Sequence, residues 1–145
     1  LELPLLFLKG TFPRARLLPL LVARRSPELG EALKLVLKDH PGLVVLAVDL
    51  SHVGPRFGDG PFSRPLAEEA RRRDLGFLER LAQREPEAAL AFLGGNPTRV
   101  DAVEVVASLT PLLTGRRGQV LAYRLDLEAP TLSAVGAGTL VFPTG

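Results

Sequence analysis

Ala15-Arg16-Leu17-Leu18-Pro19-Leu20-Leu21-Val22 and Leu43-Val44-Val45-Leu46-Ala47-Val48-Asp49-Leu50 are two short apolar runs bounded by proline, glycine and charge. That pattern fits strands buried on both faces of a layered sheet. Between them, Ser26 is placed to cap a helix, Pro27 to open its first turn and Glu28 to favour its positive end. Leu29, Leu33, Val36 and Leu37 supply the apolar stripe, and Pro41-Gly42 ends it. Strand, helix and strand within about 35 residues make a βαβ unit, which predicts two parallel strands joined by a right-handed crossover.

Beyond these runs a loop rich in Gly and Pro (Gly54 to Pro61) leads to a charged stretch, Ser63 to Gln83, with Leu66, Ala70, Phe77, Leu78 and Leu81 spaced along one face. A second helix is expected from Pro86. Thr98 followed by Asp101 offers a capping arrangement for a third over Ala102 to Leu109, which Pro111 should kink or end. Two alternating runs, Gln119 to Asp126 and Leu132 to Phe142, flank a turn at Glu128 to Pro130 and read as adjacent antiparallel strands, the second loosened by Gly136 and Gly138. The whole predicts one α/β domain over residues 1–145, a three-layer sandwich with a central mixed, mostly parallel sheet.

Composition narrows the function classes. The 145 residues are 46% hydrophobic with no Cys, Met or Trp, so the chain reads as core-forming, without disulfides or thiolate metal sites, and a cytoplasmic location is the default. The longest apolar run, Leu43 to Val48, stops at Asp49, far short of the roughly 20 residues a spanning helix needs. The opening Leu1 to Leu8 carries Glu2 and Pro4, lacks a basic leader and has no small-residue cleavage site behind it, which argues against a secretory signal. A net charge of +2 built from 15 Arg and 3 Lys gives little support to nucleic-acid binding, and Arg71-Arg72-Arg73 should fan around a helix as a solvated face. Arginine in place of lysine, many leucines and prolines, and the missing Cys and Met suggest a thermophile. A chain with no methionine at all reads as processed or as a piece of something longer.

One stretch carries chemistry: Asp49-Leu50-Ser51-His52-Val53-Gly54-Pro55-Arg56-Phe57-Gly58-Asp59. A buried strand running into Asp-x-Ser-His places polar groups at the carboxyl end of a sheet, where open α/β folds form ligand crevices. Asp49 and Ser51 should share one face by the two-residue period, with His52 at the bend. A carboxylate beside an imidazole can set its tautomer and raise its basicity, which suits a general acid/base pair or a metal ligand. The plainer reading stands beside it: Asp49 capping loop amides and His52 a buried hydrogen-bonding group. Gly54 and Gly58 should include at least one positive φ, holding Arg56 toward a carboxylate.

This run resembles the signature Asp-x-(small)-His-x-Gly-x-Arg-Phe-Gly of the Memo family, also called protein B of the AmmeMemoRadiSam system. Leu1 to Leu8 is similar to the family's Leu-Glu-x-x-Leu-Pro-Phe-Leu segment. Asp74 falls where the family usually has an aspartate, and Tyr123-Arg124 and Leu132 to Gly138 resemble its closing strands. The resemblance implies a fold shared with class III extradiol dioxygenases, with a cavity able to hold a divalent metal such as iron, zinc or copper. With it, His52 and Asp101 are expected as metal ligands, Asp49 and His52 as the catalytic pair, and Ser51 and Arg56 as cofactor contacts; from the strand, loop and helix assignments, Asp49, His52 and Asp101 should converge on one cavity at the carboxyl end of the Leu43 to Leu50 strand. Asp101 stands where the family has a cysteine, which would turn a thiolate site toward His and carboxylate; its alternative role is that of a helix-start acid. Two family histidines precede the segment matching Leu1, so the chain corresponds to the carboxyl-terminal portion of the pattern. An active extradiol dioxygenase is disfavoured, because His40 and His52 do not assemble the two-histidine and carboxylate set, and His40 sits at a helix end. The expected partners are radical-SAM and AMMECR-type proteins, with self-association of the chain through uncovered apolar surface. The alternative is a non-catalytic peptide- or protein-binding module on the same fold.

Overall fold

Ser63 accepts a hydrogen bond from the Leu66 amide and caps a helix, Arg64–Ala82, whose apolar side organises the rest of the structure. The computed structural model describes residues 2–94, 100, 102–113 and 117–142. In chain order the elements are α1 (Glu2–Thr11), α2 (Pro27–Asp39), β1 (His52–Val53), α3 (Arg64–Ala82), α4 (Pro86–Gly94), α5 (Ala102–Leu109), β2 (Gln119–Glu128) and β3 (Ser133–Val141). Short 3-10 turns at Pro55–Phe57 and Thr110–Leu112 follow β1 and α5. The fold is α/β. The helix extents expected from periodicity match α2 to α5 closely, although Ser26 makes no side-chain cap bond at the start of α2, and α1 covers a segment for which the pattern predicts no element.

The sheet departs from expectation. Its order is β1-β3-β2 and both pairings are antiparallel, so the mixed, mostly parallel sheet is corrected to an antiparallel one among the described residues. Neither Ala15–Val22 nor Leu43–Leu50 forms a strand. A strand exists only through hydrogen-bonded neighbours, and of the two runs only Leu50, the last residue of the second, bonds to β3. Instead many of their side chains face outward, with Leu43 76% exposed and Leu18 and Leu21 likewise open. Among the described residues the βαβ crossover is therefore absent, and only the tail of the second run reaches the sheet.

The hairpin β2–β3 is as predicted, with a register running from Gln119↔Val141 to Glu128↔Ser133. One face receives α3. Gly136 and Gly138 of β3 make that possible: a Cβ at Gly136 would overlap the Asp74 carboxylate, and one at Gly138 would lie 2.6 Å from Leu78. The two glycines are a seat for α3 rather than a weakness in the strand. Helix α4 packs on α3, α5 on α4, and α2 on α5, so the helices build outward from one face. Ala137, Thr139 and Val141 leave the opposite face open, and the expected third layer is not formed by the described residues.

Leu50, Phe77, Leu78, Leu81, Ala89 and Leu93 are central to the main core. A smaller cluster of Val53, Ala70 and Ala134 lies under the signature loop. No helix of the described residues is long and apolar enough to cross a membrane.

Candidate functional site

The signature loop is built on backbone conformations that glycine supplies. Gly54 has φ 108° and Gly58 φ 84°, bracketing the 3-10 turn. A side chain at Gly54 would also meet the Leu132 carbonyl at 2.7 Å. Asp59 closes the loop by accepting from the Gly54 amide at 3.0 Å, and Ser133 Oγ accepts from the Arg56 amide at 3.0 Å. Arg56 points at a carboxylate as expected: its Nη1 donates to Glu128 Oε2 at 3.1 Å. Glu128, hydrogen-bonded by Thr131 and then by Arg56, is held below the usual carboxylate range. Both partners of this ion pair are solvent-exposed. They stand at the rim of a recess of about 270 Å³ that Phe57, Ser133 and Val135 also line.

His52 lies opposite Val135 in the β1–β3 register, its ring edge-on to Phe57 with centroids 4.9 Å apart. The imidazole is 13% exposed and its Nε2 is 3.7 Å from Asp49 Oδ2, whose side chain is 62% exposed. At that separation these two atoms do not share a hydrogen bond. Asp49 and His52 thus lie side by side. The expected common face of Asp49 and Ser51 is not: Asp49 is exposed, whereas Ser51 is fully buried.

The reason is a break in the strand's alternation. Gly136 accepts from the Leu50 amide at 3.0 Å and donates to the Ser51 carbonyl at 2.8 Å, so two residues oppose one. That is the arrangement of a β-bulge. Leu50 and Ser51 both turn into the protein, and Asp49 and His52 share the other side, Asp49 exposed and His52 largely covered beside Phe57.

Behind the bulge lies a polar cluster that periodicity alone does not disclose. Asp74 of α3, with 0% exposure, accepts from the Ser51 amide at 3.0 Å and the Ser51 hydroxyl at 2.7 Å on Oδ1. Its Oδ2 accepts from the Tyr123 hydroxyl at 2.8 Å. Burial pushes the Asp74 carboxyl up from its ordinary pKa, opposed by the bonds from Ser51 and Tyr123. Tyr123 is also raised, by burial and then by the carboxylate it faces. The signal for this cluster is in the sequence: Asp74 occupies the stripe of Ala70, Phe77, Leu78 and Leu81, and a carboxylate there requires buried donors.

Ser51 therefore contacts protein on its buried side, and Arg56 contacts Glu128. Asp101, Thr98 and the capping arrangement expected of them lie outside the described residues, and so does the convergence of Asp101 with Asp49 and His52. Among the described residues no three His, Cys, Asp or Glu side chains form a group that could hold a metal. His52 and Asp49 offer one nitrogen and one oxygen donor, a type of pair that suits iron, zinc or copper but does not complete a coordination sphere.

Residues 1–141 match the family model described as Memo-like protein. The chain belongs to the Memo-like family. A MEMO1 family protein of Thermus thermophilus is 84% identical over 141 residues, covering 97% of this chain and 43% of the relative. A MEMO1 family protein of Aquifex aeolicus is 31% identical over 152 residues, covering 98% of this chain and 39% of the relative. The Memo-like chain thus spans about two-fifths of the length of these curated relatives.

Proposed function

We propose that this Memo-like chain is the carboxyl-terminal part of a cytoplasmic, metal-binding protein that acts with radical-SAM and AMMECR-type partners in a redox or modification reaction. The observation that carries the reading is the Asp49–His52 pair, aimed to the same side of the sheet beside a loop locked by Gly54 and Gly58. Asp49 would bias the imidazole toward donating its lone pair or moving a proton. A divalent metal, iron, zinc or copper, would supply Lewis acidity or redox capacity. His52 and Asp49 would hold it together with Asp101 or with ligands from the part of the protein that these residues do not span.

Anaerobic metal analysis of the full-length protein and of its His52→Ala variant tests the reading. A metal present in the first and lost in the second is the expected result. Metal-free protein, or metal retained without His52, would overturn it. The second reading, a non-catalytic peptide- or protein-binding module, draws on the outward-facing Leu18, Leu21 and Leu43. Metal-free protein that still captures its partners would favour that module.

A further inference from the structure

On a regular strand, residues three apart point to opposite faces. Asp49 and His52 are three apart and yet lie 3.7 Å from each other. The extra residue of the bulge at Leu50–Ser51 accounts for this, because it shifts the alternation by one place between them. The bulge is held from inside by a single carboxylate oxygen, Asp74 Oδ1, which takes both the amide and the hydroxyl of Ser51. Gly136, opposite the bulge, leaves the space that the Asp74 carboxylate fills.

A carboxylate is a poor choice for the buried stripe of α3 if stability alone is at stake, since a well-packed apolar side chain is commonly neutral or better there. Its neighbours on that stripe, Ala70, Phe77, Leu78 and Leu81, are all apolar. We propose that Asp74 is a positioning residue: by pinning Ser51 it keeps the bulge that brings Asp49 and His52 to one side of the sheet. Tyr123 supports it from β2 by satisfying the other oxygen. This rests on the reading that His52 is the functional group, and it is testable without metal.

The probe is diethyl pyrocarbonate acting on metal-free, full-length protein, with carbethoxylation of His52 followed peptide by peptide by mass spectrometry. His52, largely covered, should react slowly in the wild type, and the exposed His40 serves as internal reference. Asp74→Ala should raise the His52 rate several-fold relative to His40. Asp74→Asn keeps an acceptor for Ser51 and should restore the wild-type rate, a rescue that a mere loss of packing would not predict. Tyr123→Phe leaves the Ser51 bonds in place and should change the rate less than Asp74→Ala.

Circular dichroism verifies that each variant is folded. If Asp74→Ala does not fold, Ser51→Ala decides: a faster His52 supports the proposal and an unchanged one overturns it. A folded Asp74→Ala with His52 at the wild-type rate, or an Asp74→Asn as reactive as the alanine variant, would overturn it too. Metal content of the wild type is read separately, so a metal-free protein removes the metal reading while this comparison still stands.

Discussion

The Tyr123 hydroxyl of β2 donates across 2.8 Å to Asp74 Oδ2 of α3, and so ties the hairpin to the helix that covers it. Removing that donor leaves an oxygen of a fully buried carboxylate without a protein partner. Tyr123→Phe should therefore cost about 1 to 3 kcal/mol, the penalty of an unsatisfied buried group. Urea unfolding of the two proteins measures it, and a loss indistinguishable from zero would mean that water reaches Asp74.

The same carboxylate gives the fold a pH dependence with a definite sign. The pKa of Asp74 is raised in the folded state, so the stability linked to it is fully present below its unfolded value and is lost as pH rises through the folded one. Glu69, held down to about 2 by hydrogen bonds from Arg72 and Arg73, and Glu128 act in the opposite sense, losing their contribution as pH falls. They are common to the wild type and to Asp74→Asn. The difference in unfolding free energy between those two proteins should accordingly shift in favour of Asp74→Asn as pH is raised from the carboxyl range toward neutrality. A difference that is flat in pH would contradict the raised pKa.

Two glycines of the 54–61 loop should respond differently to the same change. Gly54→Ala forces a side chain onto φ 108° and against the Leu132 carbonyl, and should cost about 1 to 3 kcal/mol. Gly60 has nothing within 4 Å of where its Cβ would stand, so Gly60→Ala should stay within about 0.5 kcal/mol. Thermal melts of the pair suffice; equal losses would show that the loop is not held by the Gly54 conformation.

Residues 1–145 prepared alone should self-associate. Leu18, Leu21, Leu43, Val44 and Val45 leave apolar surface open to solvent in two runs without strand partners among the described residues. Light scattering should show species larger than one chain, and Leu21→Ser with Leu43→Ser should reduce them. A monomer at every concentration would indicate that this surface is covered in solution.

Much of the architecture was legible in the chain because it is set locally. The stretch that begins at Ser63 is α3, Pro27 starts α2, and Pro86 starts α4. Alternation over Gln119 to Asp126 and Leu132 to Phe142 with a turn between them gives the hairpin, observed as Gln119–Glu128 and Ser133–Val141, since neighbours in sequence can satisfy each other's backbone groups. The positive φ at Gly54 and Gly58 follows from the loop's own residues, whereas the carboxylate that Arg56 meets, Glu128, is supplied by β2.

Tertiary structure decided the rest. Leu43–Ala47 has the composition of a buried strand, yet a strand is a property of a pair, and composition does not say whether a partner lies alongside. The same holds at the site. The period of two placed Asp49 with Ser51, whereas the bulge opposite Gly136 placed Asp49 with His52, because one glycine on β3 and one carboxylate on α3 meet Ser51 from distant parts of the chain. Caps, turns and stripes act over a few residues and can be read in order; hydrogen bonds between residues dozens of positions apart depend on where the packed elements come to rest.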